Sequence, residues 1–143
     1  MTFGTRNLHV ATNSGFNATG QGFFGGVIEI AASGDTMLAG VLRADGFTPG
    51  GGHYSGGSGG SIYLRANRFR AIGGAVVSAN GSGGGGSGGC GGGGRVAFWR
   101  RRDLTVDYTL APTANYGVGG AAGTVGSVIM DWIPDPSTVI FLR

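Results

Sequence analysis

Lysine is absent from this chain of 143 residues, so all ten of its basic side chains are arginines. A phosphate loop of the GxxxxGK[ST] kind needs a lysine to reach the phosphates, which excludes that site despite abundant glycine. Cysteine occurs once, at Cys90. That rules out an intrachain disulfide and any metal site of paired cysteines, and its glycine flanks suit a small packed residue. Proline occurs four times, and glycine keeps no strict third-residue period, so a collagen triple helix is excluded. No apolar run approaches the roughly 18 residues of a membrane span. The start of the chain shows no signal-peptide pattern either, so synthesis and folding in the cytoplasm are expected if the chain is complete. Charged residues make up only 12% of the sequence and hydrophobic ones 41%, the reverse of the balance in chains that stay unfolded. A mass of 14.2 kDa fits one compact domain and excludes a multi-domain enzyme.

What is present in excess is glycine, at 34 positions, against a usual share of roughly 7%. It accompanies a repeat. Gly25-Gly26-Val27-Ile28-Glu29-Ile30 aligns with Gly59-Gly60-Ser61-Ile62-Tyr63-Leu64 at an offset of 34, and again with Gly93-Gly94-Arg95-Val96-Ala97-Phe98. The apolar positions Ile28/Ile62/Val96 and Ile30/Leu64/Phe98 alternate with period two, the pattern of a half-buried strand. A second element, Val41 to Gly46, recurs at Val76 to Gly81 with an offset of 35, and more loosely at Ala111 to Gly117. An earlier partial copy is Phe16-Asn17-Ala18-Thr19-Gly20. Each unit reads as strand, bend, strand and glycine-rich return. Strands this short cannot bury an apolar face alone, so the units must stack.

The expected fold is therefore all-β: a short right-handed parallel β-helix, or β-solenoid, of about four coils with glycine-rich, polyproline-II-like returns. The domain covers residues 1–143, with units at about 14–24, 25–58, 59–92 and 93–122 and a C-terminal capping or docking segment at 123–143. Glycine costs roughly 0.5–1 kcal/mol relative to alanine wherever another residue would serve. Dozens of them imply a geometric need, and packed glycine strands are expected between 83 and 94. The column Thr19, Asp45, Asn80 and Asn115 brings small polar side chains before glycines into register, and a coil-to-coil polar ladder is expected there.

The successions Gly-Gly-Ser-Gly-Gly-Ser-Ile-Tyr-Leu-Arg-Ala (56–66), Val-Ser-Ala-Asn-Gly (77–81), Gly-Gly-Gly-Gly-Arg-Val-Ala-Phe (91–98) and Gly-Ala-Ala-Gly-Thr-Val (120–125) resemble the glycine-rich repeats of bacterial surface and secreted β-helix proteins and of some phage fibre proteins. The resemblance spans roughly Ser14 to Val128. It implies a β-helix, and a role as adhesin, passenger or scaffold. The polyglycine stretches also resemble fibre-tip adhesins of some tailed phages, which implies receptor binding. Two departures are the short length and the missing secretion signal.

Catalytic motifs are scarce. Enzymatic β-helices set several carboxylates on one face, whereas seven acids are spread over this chain, and Asp103 and Asp107 gain no third partner. His9 and His53 form no zinc or triad spacing, and the glycine runs carry no calcium-binding aspartates. No catalytic residue, metal or cofactor is expected. His53 and Tyr54, between glycine runs, are a candidate ligand loop. Trp99, Arg100, Arg101, Arg102, Trp132 and Phe141 are candidate partner contacts, because arginine and aromatic residues favour interface cores. Nucleic acid is an unfavoured partner for the arginine triplet, beside which Asp103 and Asp107 offset charge.

The leading expectation is a non-enzymatic structural protein of an extracellular assembly: a phage virion component such as a fibre, tail-tip or decoration protein, bound to copies of itself or to other subunits. Its site of action would be the virion, the cell surface or the extracellular space. Alternatives are a subunit of a bacterial surface filament or sheath, a receptor- or glycan-binding adhesin module recognising a cell-surface glycan or outer-membrane protein, and, last, a polysaccharide lyase or hydrolase.

Overall fold

The computed structural model describes residues 1–11, 14–20, 24–48, 53–103 and 110–133. Among them the chain is all-β, with nine strands and no helix: β1 (Thr2–Thr5), β2 (Leu8–Val10), β3 (Gly15–Asn17), β4 (Val27–Leu38), β5 (Val41–Arg43), β6 (Ser61–Ala71), β7 (Val76–Ser78), β8 (Arg95–Asp103) and β9 (Ser127–Trp132). Every pairing is parallel. The larger sheet runs β1-β4-β6-β8-β9, with β2 also on β4, and the smaller one runs β3-β5-β7.

Register follows the sequence repeat. Ile28 lies opposite Ile62, Ile62 opposite Val96, and Val96 opposite Val128. The next inward column is Phe3, Ile30, Leu64, Phe98 and Met130. In the smaller sheet Leu42 pairs with Phe16 and Val77. The alternating apolar residues of the two sheets form one core, in which Ile30, Leu38, Leu42, Phe69, Val96 and Phe98 are fully buried. Phe69 and Phe98 pack tilted at 59° with centroids 5.4 Å apart. Burying side chains of this size contributes about 1.5–3 kcal/mol each, and no single strand could collect that alone.

Two strand regions lie outside the repeat expected from the sequence. Residues 2–10 supply β1 and β2, which pair with the two halves of β4, ahead of the partial unit placed at 14–24. Residues 127–132, expected within a capping or docking segment, extend the larger sheet on β8. The offset there is 32 instead of 34, because Ser127 pairs with Arg95 whereas Arg95 pairs with Ser61.

Beyond β5 and β7 the chain leaves in glycine-rich segments and returns alongside them. Gly57 and Gly60 N–H groups donate to the Phe47 and Ala44 carbonyls (3.2 and 2.7 Å), and Gly91 and Gly94 donate to Ser82 and Ala79 (2.9 and 2.7 Å). The residues one position earlier face another neighbour: Gly56 and Gly59 donate to Gly89 and Gly92 (2.8 and 2.9 Å), Cys90 and Gly93 to Ala121 and Thr124 (both 2.8 Å). Donors to any one neighbour thus recur every third residue. That is the period of a polyproline-II turn, not of a strand. Glycine is required by close approach: a Cβ on Gly60 would strike the backbone of Gly25 and Gly26, and one on Gly94 the backbone of Gly59 and Gly60.

Candidate functional site

The polar column is assembled by the offset of 35 between equivalent positions. The Asn80 N–H donates to Asp45 Oδ1 (2.7 Å), and the Asn115 N–H donates to Asn80 Oδ1 (2.8 Å). Asp45 also accepts the Ser78 hydroxyl through Oδ2 (3.0 Å) and pairs with Arg43 (3.3 Å). Each side-chain oxygen thereby satisfies a backbone donor of the following block. Thr19 stands at the head of the column without joining this chain of bonds. Its N–H donates to Asn17 Oδ1 (2.9 Å), while its buried Oγ1 has no hydrogen-bond partner. A threonine hydroxyl sits one atom nearer the backbone than an Asp or Asn oxygen, and it falls short of the next block.

His53 and Tyr54 lie at the far tip of a glycine segment, both exposed. His53 Nδ1 is 3.4 Å from Ser87 Oγ, and the Tyr54 carbonyl accepts the Gly85 N–H (2.9 Å). Neighbouring tips are therefore brought together, and Tyr54 presents its ring outward. Among the described residues no carboxylate is bonded to this pair.

The candidate contact residues divide. Strand alternation turns Arg100 inward, where it is 6% exposed, with its guanidinium 4.4 Å from the centroid of the Trp132 ring. This corrects the expectation of three adjacent arginines offered together to a partner. Arg101 and Arg102 are exposed, Trp99 is half-buried, and Trp132 is half-exposed as the cover of Arg100. Phe141 and Asp107 lie outside the described residues.

Among the described residues no three His, Cys, Asp or Glu side chains gather as metal ligands. Among them there is no helix long and apolar enough to cross a membrane.

The most exposed apolar side chains lie in the first and last blocks of the chain. The final block exposes Val118 at 86%, Val125 at 66%, and also Tyr116, Val128 and Trp132. At the opposite end Phe24 is 72% exposed, joined by Met1, Phe3 and Val27. Val128 continues a column whose other members are fully buried, and its exposure follows from position: among the described residues no strand follows β9 in the sheet. The sequence contained this signal in the alternation after Gly126, but the shortened offset concealed it.

The chain matches no protein-family model, no curated protein and no solved structure.

Proposed function

We propose that this protein is a non-enzymatic structural subunit, built as a short parallel β-solenoid and completed by neighbouring subunits in an extracellular assembly, foremost a phage virion. The observation carrying this reading is the open end of the larger sheet. Among the described residues no strand pairs with the outer edge of β9, and the block around it exposes Val118, Val125 and Val128. Open apolar edges recruit further strands, and soluble monomers normally protect them. The winding is supported by the offset of 34 shared by the first halves of β4, β6 and β8 and by pairing of β5 with β7 at 35. Crossover connections between parallel strands are right-handed in nearly all proteins, so the coil is right-handed. Because the two ends differ, copies join head to tail, which gives rings or filaments.

Size-exclusion chromatography with light scattering at ~0.15 M salt tests the assembly. The native chain is expected to associate, and the double variant Val118→Asp, Val125→Asp to run as a folded monomer. A native chain that is monodisperse and monomeric refutes the reading. Mass spectrometry of purified phage particles tests the virion assignment, with recovery in the cell-surface fraction alone favouring a filament subunit.

A further inference from the structure

The arginines left over by the assembly reading converge on a bend in the larger sheet. Between Ala32 and Asp35, β4 carries an extra residue relative to β6. The strands turn there and leave a concave groove. Its lining runs from Thr5 of β1 across residues 31–33 of β4, with Ser33, and 65–67 of β6, with Arg65 and Asn67, to Arg101 of β8 and Ile133 beyond β9, and its volume is about 410 Å³. A second cleft of about 320 Å³ continues it past Arg68 and Arg102, sharing Asn67, Arg101 and Ile133. Neighbouring strands lie ~4.8 Å apart, so five of them give a trough roughly 19 Å long, crossing the strands.

Its charge is mainly positive. Among the side chains described there, Arg65, Arg68, Arg101 and Arg102 face one carboxylate, Asp35, which is already held by Arg68 at Nε (2.5 Å) and through a hydrogen bond from Nη2 to Oδ2 (2.9 Å). Arg65, Arg101 and Arg102 enter no ion pair among the described residues. Asp131 is two strands from Arg65 with Trp99 between them, and its Oδ1 accepts its neighbour's Trp132 N–H (2.7 Å). Guanidinium groups engage carboxylate, sulfate and phosphate with paired N–H donors. The hydroxyls of Thr5 and Ser33 and the amide of Asn67 add uncharged donors and acceptors suited to sugar hydroxyls. Single-stranded nucleic acid would require aromatic platforms for its bases, and among the described residues no aromatic side chain lines either cleft.

We propose that this groove binds an acidic glycan: the arginines hold its anionic substituents, and the hydroxyl and amide side chains hold its sugar hydroxyls. This site is separate from the His53–Tyr54 tip and from the apolar ends, and it does not depend on the protein being an assembly subunit. The test is equilibrium binding of the full chain to immobilised heparin, alginate and a phosphorylated mannan, with dextran as the neutral probe and a dT20 oligonucleotide as competitor. Binding to at least one acidic glycan and not to dextran is expected, and the preferred probe identifies the anionic group.

Losing a charge-assisted contact should weaken binding roughly tenfold in Arg101→Gln and in Arg65→Gln. Arg95→Gln removes the same charge from an exposed position elsewhere on β8 and should leave affinity within about twofold; all three variants are checked for a native melting curve. Equal loss in all three means attraction to net charge alone and overturns the proposal. So does tighter binding of dT20 than of any glycan, or no binding to any of the acidic probes. Association state is measured in parallel, so that failure of the groove and failure of assembly are read separately.

Discussion

Replacing Gly94 by alanine tests whether glycine in the packed segments is required by contact. The added Cβ would collide with the Gly60 carbonyl oxygen and lie 2.6 Å from the Gly59 carbonyl carbon and 2.8 Å from the Gly60 nitrogen. All three are backbone atoms of the preceding block, and none can rotate aside. Relief requires parting β6 from β8, which strains the Arg95 N–H bond to Gly60 O (2.8 Å) and the Gly94 N–H bond to Ala79 O (2.7 Å). Overpacking costs about 1–3 kcal/mol, and weakening these hydrogen bonds adds about 1 kcal/mol. The stiffer unfolded chain offsets about 0.4–1 kcal/mol. A net loss of about 2–3 kcal/mol is expected, a large part of the ~5–15 kcal/mol that holds a domain together.

Gly73→Ala is the matched control. Its Cβ meets nothing within 4 Å and its backbone is not left-handed, so it should be neutral or up to about 1 kcal/mol stabilising. Urea unfolding followed by the fluorescence of Trp99 and Trp132 supplies both midpoints. At roughly 3 °C per kcal/mol, the Gly94 variant should also melt about 6–9 °C lower. If Gly94→Ala unfolds at or above the native midpoint, the close-packing argument fails.

The core and the ladder give further expectations. Phe98→Ala removes a fully buried ring from contact with Phe69 and should cost about 3–5 kcal/mol in the same urea assay. Asp45→Ala strips the acceptor from the Asn80 N–H, the Ser78 hydroxyl and Arg43, for a loss of about 1–3 kcal/mol. Asp45→Asn keeps an oxygen for the Asn80 N–H and should recover at least half of that loss, whereas equal losses would exclude the ladder as its source. Hydrogen exchange offers an independent readout, because the Asn80 amide should exchange faster in Asp45→Ala and not in Asp45→Asn.

Much of this architecture is written locally. The alternation Ile28-Ile30, Ile62-Leu64, Val96-Phe98 and the glycine pair before each run establish parallel strands at a spacing of 34, since period-two burial and a recurring block leave few other arrangements. The Asp45, Asn80 and Asn115 column was legible for the same reason: identical offsets stack identical positions. Only the tertiary structure decided the remainder. β1 and β2 carry no copy of the glycine signature and become strands because β4 presents an edge to them. Arg100 cannot be told from Arg101 or Arg102 by composition, and only the register of β8 turns it inward, beneath Trp132. The arginine groove lies at a one-residue irregularity in β4 and brings together side chains up to 128 positions apart, Thr5 and Ile133. Such a site depends on how strands bend and stack, and no local pattern of residue types records that.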